Sequence, residues 1–346
     1  MIPKEAKVNK KSGSEYKMKS DSNLKIGLIG CGSLGLQHAK NIEQMKTAEL
    51  VSVSSHRLSS AESLSREISS APKAYDDHRK MMANNELDAV LVVTPNHTHS
   101  EIVNDAAEVG IHIFCEKPMA LTLEDCDAMI KATDKAGVYL MIGYLRRFEN
   151  KYRAMKQWVD EGKIGDVLMG HISLLYSRPQ GNPNSWVNAR DLYGGLYSFY
   201  SHELDQLTSM AGDIGAVQCM MKYGDLQSNE VEESISMNFE FKSGAIGSLN
   251  CCRVYPGGSS ELGISGTKGT IKISDGILSY TPIDGEQQVL KHEYNNAYLA
   301  ELEYFFDCIR HSTPPVPNGI DGRRTIAIAM AAHESARTGS KIKIYY

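Results

Sequence analysis

Between Leu24 and about Ile142 the chain alternates short apolar runs with amphipathic stretches. KIGLI, ELVSV, DAVLVV, IHIF and VYLMI read as strands, and the segments between them carry helical periodicity. That rhythm predicts a parallel, doubly wound sheet. The helix after Leu121 is the clearest: Thr122 stands as N-cap with Asp125 three residues on, Cys126, Met129 and Ile130 form an apolar face, and Gly137 is the stop.

Beyond Gly143 the pattern changes. Helical periodicity recurs around Tyr152 to Val159 and Leu196 to Met210, but Ile235, Met237, Phe239 and Phe241 alternate strictly with Ser234, Ser236, Asn238 and Glu240. Period-2 alternation belongs to a strand with one wet face. AIGSLNC, ELGIS and TIKIS follow as strands separated by glycine-rich turns, before two helices around Leu299 to Arg310 and Arg323 to Arg337. The expected organisation is a leader over 1–23, read as disordered, an α/β dinucleotide-type unit over 24–144, and an α+β unit over 145–346.

Composition narrows the function. The chain has 346 residues, above the roughly 250 to 300 that one core usually serves, so two units are expected. A net charge of −5 gives none of the basic excess that a nucleic-acid or anionic-membrane partner calls for. Neither a signal peptide nor a run of about 18 apolar residues is visible. Seven cysteines without a repeated C-x-x-C pair argue against a disulfide framework and point to a reducing, cytoplasmic setting. Small-molecule chemistry is left as the better reading.

The segment KIGLIGCGSLG places Gly30, Gly32, Ser33, Leu34 and Gly35 in a G-x-G-x-x-G turn directly after a strand and before a helix. This is the context in which such a turn lets pyrophosphate approach the backbone at a helix N-terminus. The second strand ends in Ser55-His56-Arg57, where about 20 residues after the turn an acid would accept bonds from the adenosine ribose. Ser55 removes that charge, and Arg57 supplies the partner a 2′-phosphate wants. Arg57 also reads as a solvated surface arginine, but the pair favours NADP(H), with NAD(H) the other candidate.

TPNHTHSEIVNDAAEVGIHIFCEKPMALTLEDCDAM, Thr94 to Met129, contains Thr94-Pro95-Asn96, His99 and Glu116-Lys117-Pro118. With R-R-F, G-T-K-G and D-G-R-R further on, the chain from Leu24 onward resembles the glucose-fructose oxidoreductase and inositol dehydrogenase family (Gfo/Idh/MocA). The resemblance implies a Rossmann unit followed by an α+β unit on a large, mostly antiparallel sheet, the active site between them, and homodimers or homotetramers formed through the open sheet face. It also implies that Thr94, Pro95, Asn96, His99 and Glu116 contribute to the cofactor site and that Lys117 is catalytic. The residues agree, because both loops fall at carboxyl ends of parallel strands, where open α/β sheets bind ligands. His97-Thr98-His99 also has the H-x-H spacing of a metal site, but no further ligand motif accompanies it, and no metal is expected.

The family's substrate motif has a glycine pair, an Asp, a His four residues after it and an Asp three beyond. Here Gly194-Gly195 is followed by Ser198, His202 and Asp205, so a serine takes the first acid's place. On a helix these three residues share a stripe. His202 is the expected acid/base and Lys117 the group that binds the reacting oxygen. Asp205 is a candidate to orient His202. Arg147, Tyr176, Arg178, Trp186 and Ser198 are candidate substrate contacts, with aromatic faces and guanidinium groups suited to a sugar or cyclitol. The expected activity is alcohol–ketone interconversion on a polyol. A reductase of non-carbohydrate ketones, imines or diols and a non-catalytic NADP(H)-binding sensor are the alternatives.

Overall fold

The computed structural model describes residues 23–177, 186–195, 197–224 and 231–346. The leader and Arg178 lie outside the described residues.

The first half forms one parallel sheet. Its strands are β1 (Leu24–Ile29), β2 (Ala48–Ser54), β3 (Lys73–Tyr75), β4 (Ala89–Val92), β5 (His112–Glu116) and β6 (Leu140–Gly143), in the order β3-β2-β1-β4-β5-β6. Helices α1 (Ser33–Glu43), α2 (Leu58–Glu67), α3 (His78–Asn84), α4 (His99–Glu108) and α5 (Leu123–Ala136) connect them. The order reverses between β1 and β4, which opens the crevice where such sheets hold a dinucleotide. β4 is buried along its whole length, as its unbroken apolar run requires. α5 begins on Thr122, whose hydroxyl accepts the Asp125 N–H, and ends on Gly137 in the left-handed region at φ 69°.

The second half comprises α6 (Asn150–Asp160), β7 (Val167–Ser177), α7 (Arg190–Tyr193), α8 (Tyr197–Ala211), β8 (Ile214–Tyr223), β9 (Glu232–Phe241), β10 (Ile246–Cys252), β11 (Val254–Gly266), β12 (Gly269–Ser274), β13 (Ile277–Pro282), β14 (Gln288–Val289), α9 (Ala297–Arg310), α10 (Gly319–Thr338) and β15 (Ile342–Lys343). Nine strands form one sheet in the order β14-β13-β12-β11-β7-β10-β9-β8-β15, antiparallel except for the β7–β10 pair. The α/β plus α+β expectation holds. β9 buries Ile235, Met237, Phe239 and Phe241 on one face, as the alternation requires. β11 is much longer than the ELGIS run that signalled it, because its partners β7 and β12 extend the ladder on both sides.

Helices of the second half pack on the first and set the site. α8 lies against the covered face of the large sheet, its Leu204 and Leu207 in one apolar core with Ile172, Leu249, Val92 and Ile113. α9 crosses back to the first sheet, where Leu302, Phe305 and Phe306 pack with Leu24, Ile26, Leu28 and Phe114. Burying such side chains contributes about 1.5 to 3 kcal/mol each, so the crossing helix is a strong tie between the two sheets.

Candidate active site

The glycine turn is built for close approach. Gly30 has φ 109°, and a Cβ there would stand 2.3 Å from the Val93 carbonyl oxygen; at Gly35 it would stand 2.0 Å from the Gly30 oxygen. Any side chain at either position would force β1, β4 and α1 apart. Around Gly32 a Cβ would meet nothing, so the space over the turn is open. Gly32 caps α1 without a side-chain bond, and no acid occupies the helix's first turn. Gly32 and Ser33 are exposed and Leu34 half-buried. This cradle fits a dinucleotide's pyrophosphate: backbone N–H groups, a helix N-terminus and room.

The rim beside it is equally open. Ser55 is half-buried with its N–H on the Tyr75 oxygen, and Arg57, the N-cap of α2, is exposed. Cys31 is held off by the Ser54 carbonyl, which its thiol bonds at 3.4 Å, and burial pushes that thiol up to about 12.

The two loops at the ends of β4 and β5 are locked together, and several of the expected cofactor residues supply the bonds that lock them. Asn96 is 5 % exposed, and its amide donates to the Tyr193 carbonyl at 2.7 Å and to Ser198 Oγ at 3.3 Å. His99 is fully buried, with ring nitrogens 2.9 Å from the Pro118 carbonyl and 3.0 Å from the Thr94 carbonyl. Burial holds its pKa below the usual histidine value. Its ring therefore ties loop to loop and is spent before any ligand arrives. Glu116 likewise turns inward, one oxygen 2.9 Å from His38 Nε2 and the other accepting the Lys117 N–H. Thr94 and Pro95 are half-buried at the loop's outer side. His97 is exposed while His99 is buried, so the H-x-H pair does not converge.

Lys117, preceding the cis peptide to Pro118, reaches across to α8, where its Nζ donates to the Ser198 carbonyl at 2.9 Å. His202 follows one turn later on the same helix. Its Nδ1 is buried without a hydrogen-bond partner among the described residues, and its ring stands edge-on to Tyr144 at 6.1 Å. Burial, then the cations Lys117 and Arg146, push its pKa well below 6.5. The ring is therefore neutral at pH 7 and able to accept a proton.

Ser198 differs from the expected substrate contact. It is 1 % exposed, and its hydroxyl donates to the Tyr193 carbonyl at 2.9 Å while accepting from Asn96. Its side chain clasps α8 to the loop after β4. Asp205 does not serve His202 either, and Arg147 is not free for substrate. Arg147 forms a two-bond fork on Asp205 at 2.6 and 2.7 Å and adds Asp321 at 3.1 Å. Burial pushes Asp205 up to about 6 against the pull of Arg147. Removing one partner of such a buried pair typically costs about 3 to 5 kcal/mol.

Tyr176 packs its ring 5.1 Å from Phe199, and Trp186 stands 5.6 Å from Tyr193, still 36 % exposed. These rings form an aromatic wall at the start of α8. Sequence reasoning gave no role to Arg146, seen there only within R-R-F, which pairs with buried Glu203, and missed Tyr144, whose hydroxyl bonds Thr325 at 2.6 Å. Asp321 was visible only as part of D-G-R-R.

A model of an oxidoreductase family with an NAD-binding Rossmann fold matches residues 24–144, and the Gfo/Idh/MocA C-terminal domain matches 152–272. The chain belongs to the Gfo/Idh/MocA family. It is similar to the myo-inositol 2-dehydrogenase of Thermotoga maritima, 29 % identical over 93 % of this chain and 98 % of the relative. The scyllo-inositol 2-dehydrogenase (NAD(+)) of Bacillus subtilis is 28 % identical over 94 % and 97 %. Among solved structures, an aldose-aldose oxidoreductase from Caulobacter crescentus complexed with glycerol superposes with a TM-score of 0.85 at 26 % identity, covering 93 % of this chain and 100 % of that one. As a Gfo/Idh/MocA member this chain is an NAD-type oxidoreductase. Its departure is Ser198, buried where the family motif has an acid.

Proposed function

We propose that the chain interconverts a secondary alcohol and a ketone on a cyclitol or sugar, with Lys117 and His202 as the catalytic pair. The observation that carries this reading is their convergence on one turn of α8. Lys117 Nζ meets the Ser198 carbonyl, and His202, held neutral, follows four residues on. Lys117 directly follows β5, at the carboxyl ends of the parallel strands where the glycine cradle also lies, and inositol dehydrogenases among the relatives support the substrate class.

When bound, the nicotinamide cofactor accepts or returns a hydride. The protein does the rest. With Nδ1 buried, His202 presents Nε2 to the substrate and takes the hydroxyl proton, and in the reverse direction gives it back. Lys117's ammonium binds the reacting oxygen and steadies the charge that develops there. The wall of Tyr176, Phe199, Trp186 and Tyr193 suits the apolar face of a polyol ring.

Gly30, Gly32, Ser33, Leu34 and Gly35 would hold the pyrophosphate, and Thr94, Pro95 and Lys117 the nicotinamide end. Ser55 and Arg57 favour NADP(H): the rim carries a hydroxyl and an exposed guanidinium where an acid would repel a 2′-phosphate. The seven free thiols support a reducing, cytoplasmic setting. Met169 and Ile246, side by side in the register of β7 and β10, leave apolar surface on the open sheet face together with Met220, which supports a homodimer or homotetramer through that face. Light scattering on the purified chain reads that state.

The functional test is absorbance at the reduced-nicotinamide band with inositols, aldoses and simple ketones, using both cofactors. Turnover of at least one polyol is expected. Turnover of non-carbohydrate ketones alone would replace this reading with the second reductase activity.

A further inference from the structure

Behind Lys117 lies a cluster that the mechanism does not use. His38 of α1, Glu116 at the end of β5 and Glu301 of α9 are 0, 6 and 0 % exposed. One nitrogen or carboxylate oxygen from each lies within 4.8 Å of the others. Glu116 is anchored on both sides, by His38 Nε2 at 2.9 Å and by the Lys117 N–H at 3.2 Å. Glu301 is not: neither of its oxygens has a hydrogen-bond partner among the described residues, and the same holds for His38 Nδ1. Phe114 and Tyr298 stand edge-on to the His38 ring, each at 5.6 Å, and close the cluster with aromatic surface.

An ionised carboxylate without partners in such a place is strongly disfavoured, and a second carboxylate close by disfavours it further. We propose that Glu301 is kept as a neutral carboxylic acid and acts as a positioning residue for Lys117. It packs behind Glu116, whose two oxygens meet the His38 ring and the main chain at Lys117. The link to Lys117 rests on the catalytic role proposed above; the neutrality of Glu301 does not.

The groups facing Glu301 are His38 from α1, Glu116 from β5 and Tyr298 on its own helix. The turn packed on α9 carries Arg146 and Arg147, and both are spent on other acids, Glu203 and the Asp205–Asp321 pair. No cation in this set is left to ionise Glu301. Burial and the charge of Glu116 raise its carboxyl well above the ordinary 4.5. The folded chain then keeps a proton that the unfolded chain releases above that ordinary value. Stability must therefore fall as pH rises from about 4.5 towards the folded value, and a glutamine at this position removes the loss.

The test compares melting temperatures of the full-length wild type and Glu301→Gln across about pH 5 to 8. The variant is expected to gain steadily on the wild type as pH rises. A gap that stays constant with pH overturns the neutrality of Glu301. A second arm reads function on the same proteins. Glu301→Gln should keep kcat within about threefold of wild type, while Glu301→Ala, which opens a cavity beside Glu116, should lower it by about tenfold or more with cofactor Kd unchanged. An unchanged kcat in Glu301→Ala overturns the positioning role. An equal loss in both variants, with a metal found by elemental analysis in the wild type alone, overturns the proposal in favour of a bound cation. The melting arm reads Glu301 even if no polyol is turned over, so its failure is distinct from failure of the proposed activity.

Discussion

Ser55 and Ser198 each stand where an acid is expected, and their surroundings are opposite. Ser55 sits half-buried on an open rim beside exposed Arg57. Ser198 is 1 % exposed, with its hydroxyl committed to Tyr193 and Asn96 and its carbonyl to Lys117. The same exchange of residue type leaves an open rim at one end of the crevice and an internal clasp at the other. What a lost acid means is set by where the neighbouring donors and acceptors point.

The contrast is sharpened first at the buried end. Lys117→Ala should lower kcat by about a thousandfold, since it removes the donor on the reacting oxygen, while fluorescence titration of the reduced cofactor shows a far smaller loss of affinity. His202→Ala should lower kcat/KM by about a hundredfold. Because its pKa is depressed, wild-type alcohol oxidation should hold level down through pH 6.5 and fall only well below it, and a pH–rate profile reads this directly. Asn96→Ala takes one donor from the Tyr193 carbonyl, which keeps the Ser198 hydroxyl, and the amide donor from Ser198 Oγ, and should cost about 1 to 3 kcal/mol in denaturant unfolding. Smallest is the open end: Arg57→Ala should reduce the kcat/KM ratio of NADPH to NADH by about tenfold with unchanged melting. An effect of Arg57→Ala on stability would break the contrast.

Legibility followed the range of the interactions. The caps of α5 at Thr122 and Gly137 are local and were readable. β7 was not, because Leu168 and Met169 are exposed and its partners β10 and β11 lie far along the chain. The glycine cradle was legible because its geometry is the backbone's own. The ion pairs of Arg147 were not legible, because its partners Asp205 and Asp321 lie 58 and 174 residues away. His99 and Glu116 were read as cofactor contacts, although each is consumed by groups outside its own motif. Glu301 gave no signal at all: within its helix it is one more acid, and only the approach of α9 to His38 and Glu116 gives it a role.

The most direct test of this account measures melting temperature and the NADPH-to-NADH ratio of kcat/KM together on Ser55→Asp and Ser198→Asp. Ser55→Asp should move the ratio towards NADH by about tenfold and leave melting unchanged. Ser198→Asp should lower melting, because a buried carboxylate replaces the hydroxyl that donates to the Tyr193 carbonyl, and should leave the ratio alone. A Ser198→Asp chain that melts like wild type and turns polyols over faster would contradict it, as would a Ser55→Asp chain with an unmoved cofactor ratio.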